Sequence, residues 1–268
     1  MNIGNKSSNH SPWIFFLLVF ILAIPFWLMG MAGEQFLQKE IHINLPLSAL
    51  MFVCPTIAAL ILVRRNDGSD GIKQLVKAAF PYRIKKKIWY VPVFLLEPFI
   101  MIFAYGLMKI MGESIPDLQI TVLKILAFFL VFLIAGICEE IGWQGYAYDA
   151  MEKRWNALWA SIMLGFVWQI WHIIPHLQIH PPEWIIWQCA GSVLLRVLIV
   201  WLYQNTGKSI LAAAIFHAMN NVCSFLLPNY DSSIAPFSVF IITAFVTVII
   251  TFLWGSKTLA CYRFKRTS

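Results

Sequence analysis

Seven side chains with acid, base or amide chemistry interrupt otherwise apolar stretches of this chain: Glu97, Glu139, Glu140, His172, Arg196, His217 and Asn221. An ionisable group surrounded by hydrocarbon is costly unless it is paired or used, so each of these is a candidate for function. Glu139 and Glu140 are neighbours in the run GICEEIGWQG (136–145). On a helix, adjacent side chains point about 100° apart, so one carboxylate can face a polar cavity while the other takes a neighbouring hydrogen bond. Gln144, one helical turn beyond Glu140, is the expected partner of that second carboxylate. A carboxylate and an imidazole can hold a water and remove its proton. A second imidazole and an amide N–H can stabilise the oxyanion that forms when the water attacks a carbonyl. Glu139, His172 and His217 are equally the ligand types of a catalytic zinc site with an open water position. Both arrangements hydrolyse amides, and the residue types leave both open. A divalent metal such as zinc is therefore an open cofactor assignment.

These side chains need helices to carry them. A bilayer-spanning helix takes about 20 apolar residues, and the chain has eight such runs, near 13–32, 45–63, 88–111, 122–147, 157–174, 184–203, 209–227 and 234–254. Composition agrees, because 60% of the 268 residues are hydrophobic and 12% are charged, where a soluble domain is about a quarter charged. That balance excludes a water-soluble monomer, a disordered chain and a secreted disulfide scaffold. The first run is too long, and too poor in preceding basic residues, for a cleaved signal peptide, so it reads as a retained anchor. Five scattered cysteines (Cys54, Cys138, Cys189, Cys223 and Cys261) contain no CxxC pair, so neither a disulfide framework nor a cysteine zinc knuckle is expected. Cys261 reads as a plain thiol.

Charge orients the runs. The loop 64–87 carries Arg64, Arg65, Lys73, Lys77, Arg83, Lys85, Lys86 and Lys87. With eight spans, Lys6, Lys153, Arg154, Lys208, Lys257, Arg263, Lys265 and Arg266 fall on the same side, 16 of the 20 basic residues in all. Only Lys39, Lys109 and Lys124 fall opposite. The positive-inside rule puts both termini in the cytoplasm. The net charge of +7 is thus read as a membrane-facing feature, with a lipid bilayer and no nucleic acid as partner. Within the basic loop, 71–80 has an apolar stripe (Ile72, Leu75, Val76, Ala79) beside Lys73 and Lys77, which suits either a helix on the membrane surface or a solvated loop with a few anchors. Most of the tryptophans lie at span ends, where interfacial anchoring accounts for them.

Counting along the helices places the polar groups at overlapping depths. Glu139 is about 21 Å from Lys153 at 1.5 Å per residue, His172 at most about 27 Å from Arg154, and His217 and Asn221 about 14 and 20 Å from Lys208. Matched depth and opposite charge also suggest an ion pair between Glu97 and Arg196. His176 and His180 continue the spacing from His172, but Pro175, Pro181 and Pro182 are expected to break the helix and leave them on an outer loop.

Three motifs then stand in order: EEIGWQGY (139–146), WQIWH (168–172) and HAMNN (217–221). The first resembles the EExxxR motif of the CAAX protease and bacteriocin-processing family (CPBP, or Abi). The second resembles that family's aromatic residue four before a histidine, and the third its HxxxN. The resemblance covers about 120–227 of a chain read as one transmembrane domain, 1–268. It implies a multi-helix intramembrane metalloprotease related to the type II CAAX prenyl endopeptidase. It further implies that Glu139, with Glu140 beside it, and His172 activate water, while His217 and Asn221 stabilise the oxyanion. Where the motif has arginine this chain has Gln144, which keeps hydrogen bonding and loses the fixed charge.

The expected molecule is an all-α polytopic membrane helix bundle with a polar cavity open to the cytoplasm, in the cell membrane, the family variant pointing to a bacterial plasma membrane. Its expected activity is hydrolysis of a peptide bond in a membrane-associated peptide or protein substrate, lipid-modified or hydrophobic. The alternatives are a non-proteolytic bacteriocin-immunity or scaffold protein of the same fold, and a small-solute transporter. Matched broken helices in two halves would favour the transporter, and the sequence has none.

Overall fold

The structure, a computed structural model, describes residues 10–40 (side chains to 32), 47–80, 84, 86–116, 121–260 and 262–264. Lys6, Arg83, Lys85, Cys261, Lys265 and Arg266 lie outside the described residues. The helices are α1 (Pro12–Glu40), α2 (Cys54–Ala79, entered through a 3₁₀ turn at Leu47–Val53), α3 (Tyr90–Ile110) and α4 (Val122–Gly142). A π-helical turn at Trp143–Tyr148 follows α4 and leads into the short α5 (Asp149–Glu152). Then come α6 (Ala157–Ile179), α7 (Pro182–Asn205), α8 (Ile210–Leu226) and α9 (Ile234–Trp254). No strand occurs among the described residues. Seven segments are long and apolar enough to cross a membrane, and α8, with 17 residues, is a shorter apolar helix. The surfaces of these helices carry side chains such as Phe103, Ile110, Leu123, Phe245 and Val248, all more than half exposed. In water such a surface would drive association; against lipid it is the natural exterior.

The three helices that carry the motifs begin alike. Thr121, Asn156 and Ser209 each sit in extended backbone ahead of α4, α6 and α8 and accept a hydrogen bond from the backbone N–H three residues on, at 3.3, 2.9 and 3.2 Å. Each cap satisfies one orphan donor and fixes where its helix starts, hence the depth of the residues further along it. In the interior, α4 packs on α2 and α8, α6 on α7, and α7 on α9, while α3 closes against α8 and α9. Two glycines permit the close crossings. A Cβ on Gly136 of α4 would stand 2.9 Å from the Ala214 carbonyl of α8, and one on Gly165 of α6 would stand 3.0 Å from Val193 Cα of α7. Small residues at such points let backbones approach where the hydrophobic effect cannot drive association.

One sequence expectation changes and one open alternative resolves. Helix α6 does not end at 174 but runs through Pro175 to Ile179, so His176 lies on the helix and His180 is its C-cap. Rings compensate for the hydrogen bond that proline cannot make: His176 packs on Trp184 at 5.3 Å, and His180 stacks on the same indole at 3.5 Å, which ties the end of α6 to the start of α7. Trp184 is held in turn by its Nε1–H, donated to the Tyr230 carbonyl at 2.7 Å. The stretch 71–79 is helical, continuing α2 beyond a kink at Gly68, whose φ of 69° suits glycine. There Ile72 and Leu75 pack on the core and Val76 is exposed, an amphipathic arrangement.

Near the same end of the bundle, Lys208 in the α7–α8 turn bonds Asp149 and Glu152 of α5, both at 2.9 Å. Burial works to lower its pKa, but the two carboxylates outweigh it and hold the ammonium above the ordinary lysine value.

Candidate active site

The α4, α6 and α8 helices bring Glu139, Glu140, His172 and His217 together, joined by Arg196 from α7. Glu140 is fully buried, and both of its oxygens are engaged. Oε2 accepts from Arg196 Nη1 at 2.7 Å, and Oε1 lies 2.9 Å from His217 Nδ1. A carboxylate only accepts, so the His217 proton in that contact sits on Nδ1. His172 Nδ1 lies 2.9 Å from the Trp168 carbonyl, again a pure acceptor, so that ring also donates from Nδ1. Both imidazoles are thus oriented through one nitrogen, which leaves Nε2 of each for other work. Glu139 Oε2 accepts the indole N–H of Trp168 at 2.9 Å.

Trp168 is the link that sequence reading underused, although the aromatic position was visible in its motif. Its ring edges meet His172 at 5.1 Å and His217 at 5.3 Å, while the Arg196 guanidinium lies over its face, with Cζ 4.2 Å from the ring centroid. Asn221 stands one turn beyond His217 on α8, half-buried, its Oδ1 accepting from Asn220 at 3.2 Å. Trp171 packs edge-on against His172 at 4.6 Å and against Trp143 at 5.6 Å, forming an aromatic wall.

Three expectations are corrected here. Arg196 does not pair with Glu97; it pairs with Glu140, and Glu97 is buried on α3 with its Oε1 unbonded. Gln144 does not partner Glu140, since both of that carboxylate's oxygens are already taken and the amide makes no hydrogen bond at all. The π-helical turn at Trp143–Tyr148 is the physical cause, because its wider winding takes Gln144 out of the α-helical register with Glu140. Nor is the site an open cavity: Glu139 is 6% and His217 3% exposed, and His172 is the most accessible of the three.

The donor types suit zinc, and an imidazole that binds a metal is commonly held by an acceptor at its other ring nitrogen. Even so, among the described residues no three His, Cys, Asp or Glu side chains are gathered closely enough to hold an ion.

The fold and site define a multi-pass helical membrane protein with a buried carboxylate–imidazole centre. Residues 121–223 match the family described as type II CAAX prenyl endopeptidase Rce1-like. The chain is 26% identical over 237 residues to CAAX prenyl protease 2 of Methanococcus maripaludis, covering 83% of this chain and 87% of that protein. Through this core the chain is similar to the Rce1-like family of membrane proteases. The matched span holds every residue of the three motifs.

Proposed function

We propose that this chain is an endopeptidase that cleaves a peptide bond close to a lipid-modified cysteine at the C-terminus of a membrane-associated substrate. The observation that carries the reading is the pair of imidazoles, each held through Nδ1, that pack against the Trp168 ring whose N–H holds the Glu139 carboxylate. Preorganised groups of this kind act on developing charge without reorganising during the reaction.

In the proposed reaction, water lies between Glu139 and His172 Nε2. Its oxygen attacks the scissile carbonyl carbon as Glu139 takes the proton. His217 donates from Nε2 to the oxyanion, a role that needs a proton on each ring nitrogen, with Glu140 accepting the other one. The Asn221 amide adds a second donor. As the carbon–nitrogen bond breaks, Glu139 returns its proton to the leaving amine, so the balance closes without any other reactant. No step is routed through a metal. A prenyl chain, the lipid that the name of the archaeal relative points to, would lie along the apolar helix faces, since each buried CH₂ favours lipid-like surroundings by about 0.8 kcal/mol.

The test uses the full chain in proteoliposomes and two peptides with the same Cys-a-a-X end, one farnesylated at the cysteine and one not. Release of the last residues, read by mass spectrometry, is expected from the farnesylated peptide and at least about 10-fold slower from the other. Equal rates would remove lipid recognition from the proposal, and no cleavage of either would remove the activity.

A further inference from the structure

Gln144 stands where the family's first motif has arginine, so the fixed cation beside the glutamates is missing from its usual place. Yet Glu140 is not without a cation. Arg196, from the middle of α7 and 0% exposed, reaches it at 2.7 Å, while the buried Gln144 amide makes no hydrogen bond. We propose that Arg196 has taken over the motif arginine's role from another helix and acts as a positioning residue for the hydrolysis. The inference rests on the proposed endopeptidase reading.

Geometry links Arg196 to both halves of the site. Through Glu140 it acts on His217, whose Nδ1 bonds the other oxygen of the same carboxylate at 2.9 Å. Through the Trp168 ring, 4.2 Å below its Cζ, it braces the indole that holds Glu139 and whose backbone carbonyl holds His172. A guanidinium can do both at once, because it is planar, hydrogen-bonds in its plane and stacks with its face. A lysine ammonium at this position has no face to lay on the indole. The neighbouring helix makes room: Gly165 of α6 lies so close that a Cβ there would be 3.2 Å from Arg196 Cβ. The arginine, the indole and the glycine lie on α6 and α7, and together they supply what the π-helical turn after α4 withholds from Gln144.

The experiment compares wild type, Arg196→Gln, Arg196→Lys and the exchange variant Gln144→Arg/Arg196→Gln in the full chain, each checked for melting temperature. Two readouts are taken: cleavage of the farnesylated peptide with its pH profile, and ¹⁵N-histidine NMR of the His217 ring, identified through His217→Gln. Arg196→Gln is expected to lower kcat about 10- to 100-fold, to alter the pH profile and to move the His217 nitrogens. Arg196→Lys should recover part of kcat, and the exchange variant more than Arg196→Gln alone. If Arg196→Gln melts early, Glu140→Gln/Arg196→Gln removes the unpaired buried charge and restores the fold. Near-wild-type kcat in that pair would reduce Arg196 to a structural tie and overturn the proposal, whereas a loss beyond that of Glu140→Gln alone sustains it. An unmoved His217 signal in Arg196→Gln overturns it as well. The NMR readout needs no substrate. A wild type that cleaves nothing while its His217 signal responds to Arg196 would therefore remove the endopeptidase reading and leave the positioning contact standing.

Discussion

The indole N–H of Trp168 is donated to Glu139, its backbone carbonyl fixes His172, and its face carries Arg196. Trp168→Phe keeps an aromatic ring in the packing but deletes the donor and one ring's worth of buried volume. A hydrogen bond to a charged acceptor contributes about 1.5–3 kcal/mol, so kcat is expected to fall by about one to two orders of magnitude, with a lower melting temperature from the void the smaller ring leaves. Steady-state kinetics beside a melting curve checks both. Glu97 gives the opposite case. It is buried with one oxygen unbonded, so Glu97→Gln, an uncharged side chain of the same shape, should melt no lower than wild type. Its effect should add to that of Arg196→Gln within about 0.5 kcal/mol, because the two do not touch. The candidate residues themselves were legible from buried charge and motif spacing. Their partners were not: depth counting pointed to Glu97 as the neighbour of Arg196, and the packing of the helices puts Glu140 of α4 there instead.

Helices α4 and α6 show why element ends read less well than element cores. The apolar run that begins at Val122 is continuous to the eye, but backbone winding changes at Trp143, and no composition signal marks a π-helical turn. In α6 the proline at 175 looked like an ending, yet ring stacking of His176 and His180 on Trp184 carries the helix a further turn. The caps Thr121, Asn156 and Ser209, by contrast, stand in the sequence immediately before their helices. Close glycine crossings make a sharp test of the packing. A Cβ on Gly142 of α4 would stand 2.5 Å from the Pro55 carbonyl of α2. Gly142→Ala should therefore destabilise the protein by about 1–3 kcal/mol through overpacking, seen as a lower melting temperature in detergent. Melting unchanged from wild type would mean that α2 and α4 do not approach as described.

The bundle as assembled has lipid-suited side chains outside and the Arg196–Glu140 ion pair within. Seven long apolar segments and the shorter α8 give eight crossings if α8 also traverses, and eight put both termini on one side. At 1.5 Å per residue α8 is about 26 Å long, a little short of a bilayer core of about 30 Å. From the Lys and Arg distribution, the shared side is predicted to be the cytoplasmic one. Single cysteines introduced into a cysteine-free background at Lys87 and Lys257 should be labelled by an impermeant reagent only after the cells are opened. One at Glu183 should be labelled in intact cells. A labelling pattern in which Lys87 and Lys257 differ would overturn the eight-crossing topology.

The most direct measurement is single-turnover cleavage of the farnesylated peptide in H₂¹⁸O by folded, matched amounts of wild type and Glu139→Gln. Wild type is expected to place one ¹⁸O in the new C-terminal carboxylate, and Glu139→Gln to be slower by at least about 100-fold, the usual contribution of a general base. Cleavage by Glu139→Gln at the wild-type rate would contradict the account, as would a folded wild type that leaves the peptide intact.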